Sequence, residues 1–132
     1  MNSNTHTLSI DAPRERVFDF LSRVENLPKW ARIFCRELKK DEKGRWKVLS
    51  TRGEIFFRIA GDRDEGIVDM YGGPDEAAMA YWPARVVARP DGGSLFIFTA
   101  FQYPGMSDDE FNAACEGLKM EFPHLKELAE TA

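Results

Sequence analysis

The last quarter of the chain, Ser107 to Ala129, constrains its fold more than any other stretch. Ser107-Asp108-Asp109-Glu110 has the form of a capping box, in which the serine caps the first turn and the glutamate reaches back to it. Asp108 and Asp109 place negative charge where the helix dipole favours it. Phe111, Cys115, Leu118, Phe122, Leu125 and Ala129 follow at alternating spacings of four and three, which is one apolar stripe on a helix. A helix this long and one-sided needs a broad apolar surface to lie on. Ala113, Ala114 and Gly117 flank the stripe and leave room beneath it. Pro123 removes one backbone hydrogen bond and predicts a kink, which either follows a curved sheet or gates a cavity.

The rest of the chain reads mostly as strands. Thr5–Ile10 alternates weakly and predicts a first strand. Asp11-Ala12-Pro13 opens a helix with the buried stripe Val17, Phe18, Leu21 and Val24. Glu25-Asn26-Leu27-Pro28 breaks it and starts a short second helix ending near Trp30-Ala31, with Asn26 as its N-cap. From Arg32 the period changes to two. Strands are expected over 32–38, 45–51, 54–60, 66–71, 78–89 and 94–102, divided by a charged turn at 39–44 and by glycine- or proline-rich breaks. Trp46, Val48 and Ser50 share one face of their strand, as do Ile55, Phe57 and Ile59 of the next. Pro83 interrupts the 78–89 strand and marks a bulge or an edge. Short connections make the sheet antiparallel, and with no linker or repeat the chain reads as a single domain, 1–132.

This order resembles the helix-grip fold of the START / Bet v 1-like (SRPBCC) superfamily, which includes polyketide cyclases and lipid-transfer proteins. The residues carrying the resemblance are Ala12-Pro13 with Val17-Phe18 and Leu21, then Glu25-Asn26-Leu27-Pro28-Lys29-Trp30. Arg85-Val86-Val87 before the Asp91-Gly92-Gly93 turn and Pro104-Gly105-Met106-Ser107 before the final helix add to it. The resemblance implies an α+β fold: a curved antiparallel sheet of about seven strands (β-α-α-β6-α) gripping the C-terminal helix, with a ligand cavity between. It does not specify function, because the superfamily hosts carriers, enzymes and chaperone cofactors.

Pro90-Asp91-Gly92-Gly93 is the strongest hairpin signal and sets an expected register. A two- or four-residue loop pairs Arg89 with Ser94, Val87 with Phe96 and Arg85 with Phe98. Directly opposite residues share a face. Tyr81, Pro83, Arg85 and Val87 are therefore expected inside with Phe96, Phe98 and Ala100. Arg85 would then need a partner: Asp69, which interrupts the apolar run Ile67–Met70, a ligand carboxylate, or solvent past the sheet edge. The same register places Trp82, Val86, Ile97 and Phe101 outside, as a homodimer or partner surface unless long basic side chains cover them.

Composition narrows the chemistry. A net charge of −4 with scattered basic residues argues against a nucleic-acid binder. Two distant cysteines form no framework, which suits a reducing, cytoplasmic setting. Met1–Thr7 is polar and unlike a signal peptide, and no apolar run approaches the ~18 residues of a membrane span. His6, Cys35, Cys115 and His124 have no metal-ligand spacing, and no phosphate loop or nucleophile elbow is present, so neither metal nor cofactor is expected. The leading expectation is a binder of an apolar or aromatic small molecule between sheet and C-terminal helix. The candidate ligand contacts are Trp46, Asp69, Tyr81, Arg85, Phe96, Phe98, Phe111, Cys115, Leu118 and Phe122, with Arg85 and Asp69 as the polar handle. The alternatives are a cyclase- or dehydratase-type enzyme acting on a polyketide-like substrate, and an interaction module using the outer sheet face.

Overall fold

In a computed structural model, which describes residues 1–131, alternating strands and one amphipathic helix meet as the periodicities predict. The elements are β1 (Ser3–Ile10), α1 (Arg14–Leu21), a 3-10 turn at Val24–Asn26, α2 (Leu27–Trp30), β2 (Glu37–Lys40), β3 (Trp46–Ser50), β4 (Gly53–Asp62), β5 (Ile67–Gly73), β6 (Ala80–Trp82), β7 (Ala84–Ala88), β8 (Ser94–Phe101) and α3 (Asp108–Thr131). All strand pairs are antiparallel, in the order β1-β8-β7-β5-β4-β3-β2, with β6 also on β5. This is the α+β helix-grip arrangement: the inner sheet face curves around α3, with α1 and α2 packed alongside.

The start of α3 forms as its sequence dictates. The Glu110 amide donates to Ser107 Oγ and the Ser107 amide to Glu110 Oε1, each at 3.1 Å, which completes the capping box. Phe111, Cys115, Phe122, Leu125 and Ala129 are buried, and Leu118 is half-buried. The helix continues through Pro123, which lies on its exposed side. Beneath it Phe96, Ile10, Leu21, Val48, Val68 and Val86 are sealed from solvent.

Pro83 divides the expected 78–89 strand into β6 and β7 without shifting its register: Met70 pairs with Trp82 and Ile67 with Arg85. Asp69 spans the break on the outer face. Its Oδ1 accepts the Ala84 amide at 3.0 Å and its Oδ2 accepts the Tyr81 hydroxyl at 3.1 Å. Tyr81 stacks on Tyr71 with ring centroids 5.0 Å apart. Asp69 thus interrupts the apolar run as a brace for the outer sheet face.

The hairpin differs from expectation by one residue. The Arg89 amide donates to the Gly93 carbonyl, and the loop runs from Arg89 to Gly93, with Gly92 at φ +91° as its left-handed residue. Ala88 therefore pairs with Ser94, Val86 with Phe96 and Ala84 with Phe98. An odd loop length reverses the face of every residue in the incoming strand. Phe96 and Phe98 face inward as expected, but Arg85 and Val87 lie outside and are exposed, while Ala84 and Val86 are buried. Tyr81 is also outside, and Trp82 is inside opposite Met70. The outer stripe of Trp82, Val86, Ile97 and Phe101 does not exist as expected, because its first two members face the core.

Two more expectations change. Residues 32–34 form a turn, and β2 begins only at Glu37. Asn26 makes no side-chain cap; its Nδ2 donates back to the Phe20 carbonyl at 2.8 Å.

The face assignment predicts contrasting mutant stabilities. Phe96→Ala should destabilise by about 3–5 kcal/mol, and Arg85→Ala should stay within about 0.5 kcal/mol of the parent in urea unfolding.

Candidate functional site

A cavity of about 520 Å³ lies between α3, the inner sheet face and the loop after α2. The sheet contributes Phe57, Met70, Trp82, Phe98 and Ala100. The α2 side contributes Leu27, Trp30, Ala31, Ile33 and Phe34, and α3 contributes Ala113, Ala114, Gly117, Leu118 and Glu121. The rim carries Thr51, Met106 and the ion pair of Arg52 with Glu110, which joins the β3–β4 turn to the first turn of α3. Both partners of that pair are exposed, so it contributes little to stability.

The small residues of α3 create the space. Gly117 has open ground before it: a Cβ there would meet only Ile33 Cγ2, at 3.6 Å. Aromatic rings form the opposite wall. Phe34 lies 5.8 Å from both Phe57 and Trp82, centroid to centroid.

Glu121 is the one polar group deep in this wall, with 3% of its surface exposed. Its Oε2 accepts the Ile33 and Phe34 amides, each at 2.9 Å, which holds the 32–34 turn away from the sheet. These two bonds are why that segment does not continue as strand. Burial raises the Glu121 pKa above the usual glutamate range, against the opposing pull of the two amides. Burial, reinforced by the Glu121 charge, pushes the neighbouring Cys35 thiol up to about 11, so this cysteine stays protonated and unreactive.

The expected ligand contacts separate into three groups. Phe98 and Leu118 line the cavity. Phe96, Phe111, Cys115 and Phe122 belong to the packed layer beside it, where the Phe96 and Phe122 rings lie 5.7 Å apart. Trp46 lies further along β3 with the Lys40 ammonium 4.5 Å over its ring, away from the cavity wall. Asp69, Tyr81 and Arg85 are on the outer face, so the Arg85–Asp69 handle is not available inside. Glu121 went unread because an acid on an amphipathic helix normally points to water. A signal existed: Glu110, Ala114, Gly117 and Glu121, at spacings of four, three and four, form a second stripe in which two carboxylates bracket small residues.

His6 lies on the inner face of β1, its ring 6.2 Å from Phe122 and its Nε2 buried without a partner. Burial, followed by the Lys119 charge, lowers its pKa. Among the described residues, no three His, Cys, Asp or Glu side chains converge as a metal site.

Because the fold raises the Glu121 pKa, the folded protein holds this proton more tightly than the unfolded chain. The resulting penalty appears as pH rises from about 4.3 towards the folded pKa and stays constant above it. Glu121→Gln keeps an oxygen for the two amides and cannot ionise. Its stability relative to wild type should therefore rise with pH across that interval, in urea unfolding curves measured from pH 4 to pH 8.

No protein-family model matches the chain, and no curated protein matches its sequence. Solved structures do match. The protein XoxI from Bacillus cereus superposes with a TM-score of 0.74 at 16% identity, over 97% of this chain and 95% of that one. The di-domain ARO/CYC BexL of the BE-7585A biosynthetic pathway gives 0.71 at 16% identity, over 96% of this chain and 46% of that one. The Aha1 dimer from Colwellia psychrerythraea gives 0.71 at 18% identity, over 98% and 97%. Identities this low carry architecture alone, and that architecture is the helix-grip fold.

Proposed function

We propose that this protein binds an apolar or aromatic small molecule in the cavity between its sheet and C-terminal helix. The observation that carries this reading is the cavity itself: about 520 Å³, walled by aromatic and aliphatic side chains, with one convergent polar group. That is the usual size and character of a small-molecule site. Its emptiness of side chains has a cause in sequence, since Ala113, Ala114 and Gly117 stand where larger residues would fill the gap. A fold shared with a protein described as an ARO/CYC is compatible with this use. With Arg85 and Asp69 on the outer face, the binding reading loses its expected polar handle and the cyclase-type alternative loses the arginine it used, while the outer-face interaction surface loses Trp82 and Val86. Both cysteines are free and buried, which suits a reducing, cytoplasmic setting. Among the described residues, no helix is long and apolar enough to cross a membrane.

Trp30 and Trp82 in the walls provide the readout. Titration with the neutral fluorophore N-phenylnaphthylamine should quench them and saturate at one equivalent. Gly117→Phe, which places a ring in the cavity, should weaken binding by at least about tenfold. Undiminished binding to a folded Gly117→Phe protein would sink the proposal.

A further inference from the structure

Glu121 stands in an unusual position for a carboxylate. It has only 3% of its surface exposed, and it forms part of an otherwise apolar wall. Only Oε2 is satisfied, by the Ile33 and Phe34 amides. Oε1 receives no hydrogen bond from the described residues, and Glu121 is part of the cavity lining. Among the described residues, no Lys, Arg or His forms an ion pair with Glu121, although twelve ion pairs occur among them. The one basic residue among those lining the cavity, Arg52, is paired with Glu110.

A buried charge without a counter-charge is costly, and a ligand that brings the counter-charge gains what the protein lacks. The rest of the wall points the same way. Trp30, Phe34, Phe57, Trp82 and Phe98 present rings to the cavity, and ring faces attract cations. A carboxylate ligand would meet like charge at Glu121 and find no free basic group inside. Resting on the cavity reading above, we infer that the ligand is an apolar or aromatic amine, whose ammonium group pairs with Glu121 Oε1 while its apolar body fills the space against Phe57, Trp82 and Phe98.

Three probes of similar size and different charge test this: naphthylethylamine, naphthylethanol and naphthylacetate, titrated into the whole protein at neutral pH by calorimetry and tryptophan quenching. The amine should bind at least about tenfold more tightly than the alcohol, with the acid weakest. In Glu121→Gln, whose amide oxygen can still accept from Ile33 and Phe34, amine and alcohol should come within about threefold of each other. A wild-type amine affinity no better than that of the alcohol overturns the inference and leaves the cavity reading standing. An amine preference that survives in Glu121→Gln also overturns it, by assigning the attraction to another acid. Binding of none of the three probes removes the cavity reading itself, and this inference with it. If Glu121→Gln does not fold, the wild-type ranking decides alone.

Discussion

A single α-helix is about 10 Å across, whereas seven strands spaced about 4.8 Å apart make a sheet roughly three times as wide. One helix cannot cover such a surface. Here α3 settles over the β1–β8 side, where Phe96, Phe98, Phe122 and Leu125 close the core. Its other flank overhangs β4, β5 and β6 with alanine and glycine in place of large side chains. The cavity is the remainder of this mismatch. The 32–34 turn and the aromatic rings around it narrow the gap without filling it.

Two carboxylates show how differently one functional group is used on the two faces of the sheet. Asp69, outside, spends both oxygens on protein donors and bridges the place where Pro83 interrupts the ladder. Its chemistry is complete within the fold. Glu121, inside, gives one oxygen to two amides and leaves the other without a protein donor, while burial raises its pKa. The first group is explained by two donors of the fold itself, a backbone amide and a tyrosine hydroxyl. The second is satisfied only in part by the protein, since the two amides reach one of its oxygens.

Much of this architecture was legible from residue spacing. The capping box, the α3 stripe, the alternation in β3 and β4 and the break at Pro83 each rest on short-range chemistry that a sequence displays directly. The site was less legible, and the reason is parity. The turn signal around Asp91-Gly92 was read correctly, but the loop spans an odd number of residues, and one residue sent Arg85 outward and Trp82 inward. Phe98 and Leu118 do reach the cavity wall, because β8 and α3 carry their own periodicity, independent of that loop. Glu121 and the 32–34 turn are linked by contacts across almost ninety positions, which no local pattern records.

The strand that closes the far side of the sheet has a consequence of its own. β2 is only four residues long, and Glu37, Lys39 and Lys40 on it are exposed. It pairs with β3 on one side and leaves the other side unpaired. Such an edge is a template for strand addition by another molecule unless it is short or charged, and this one is both. Lys39 is further held by Glu54 from β4, and Lys40 lies over Trp46, so the charges are anchored beside the edge they guard. The open end of the grip can therefore remain uncovered at high protein concentration without recruiting neighbouring chains into a continuous sheet.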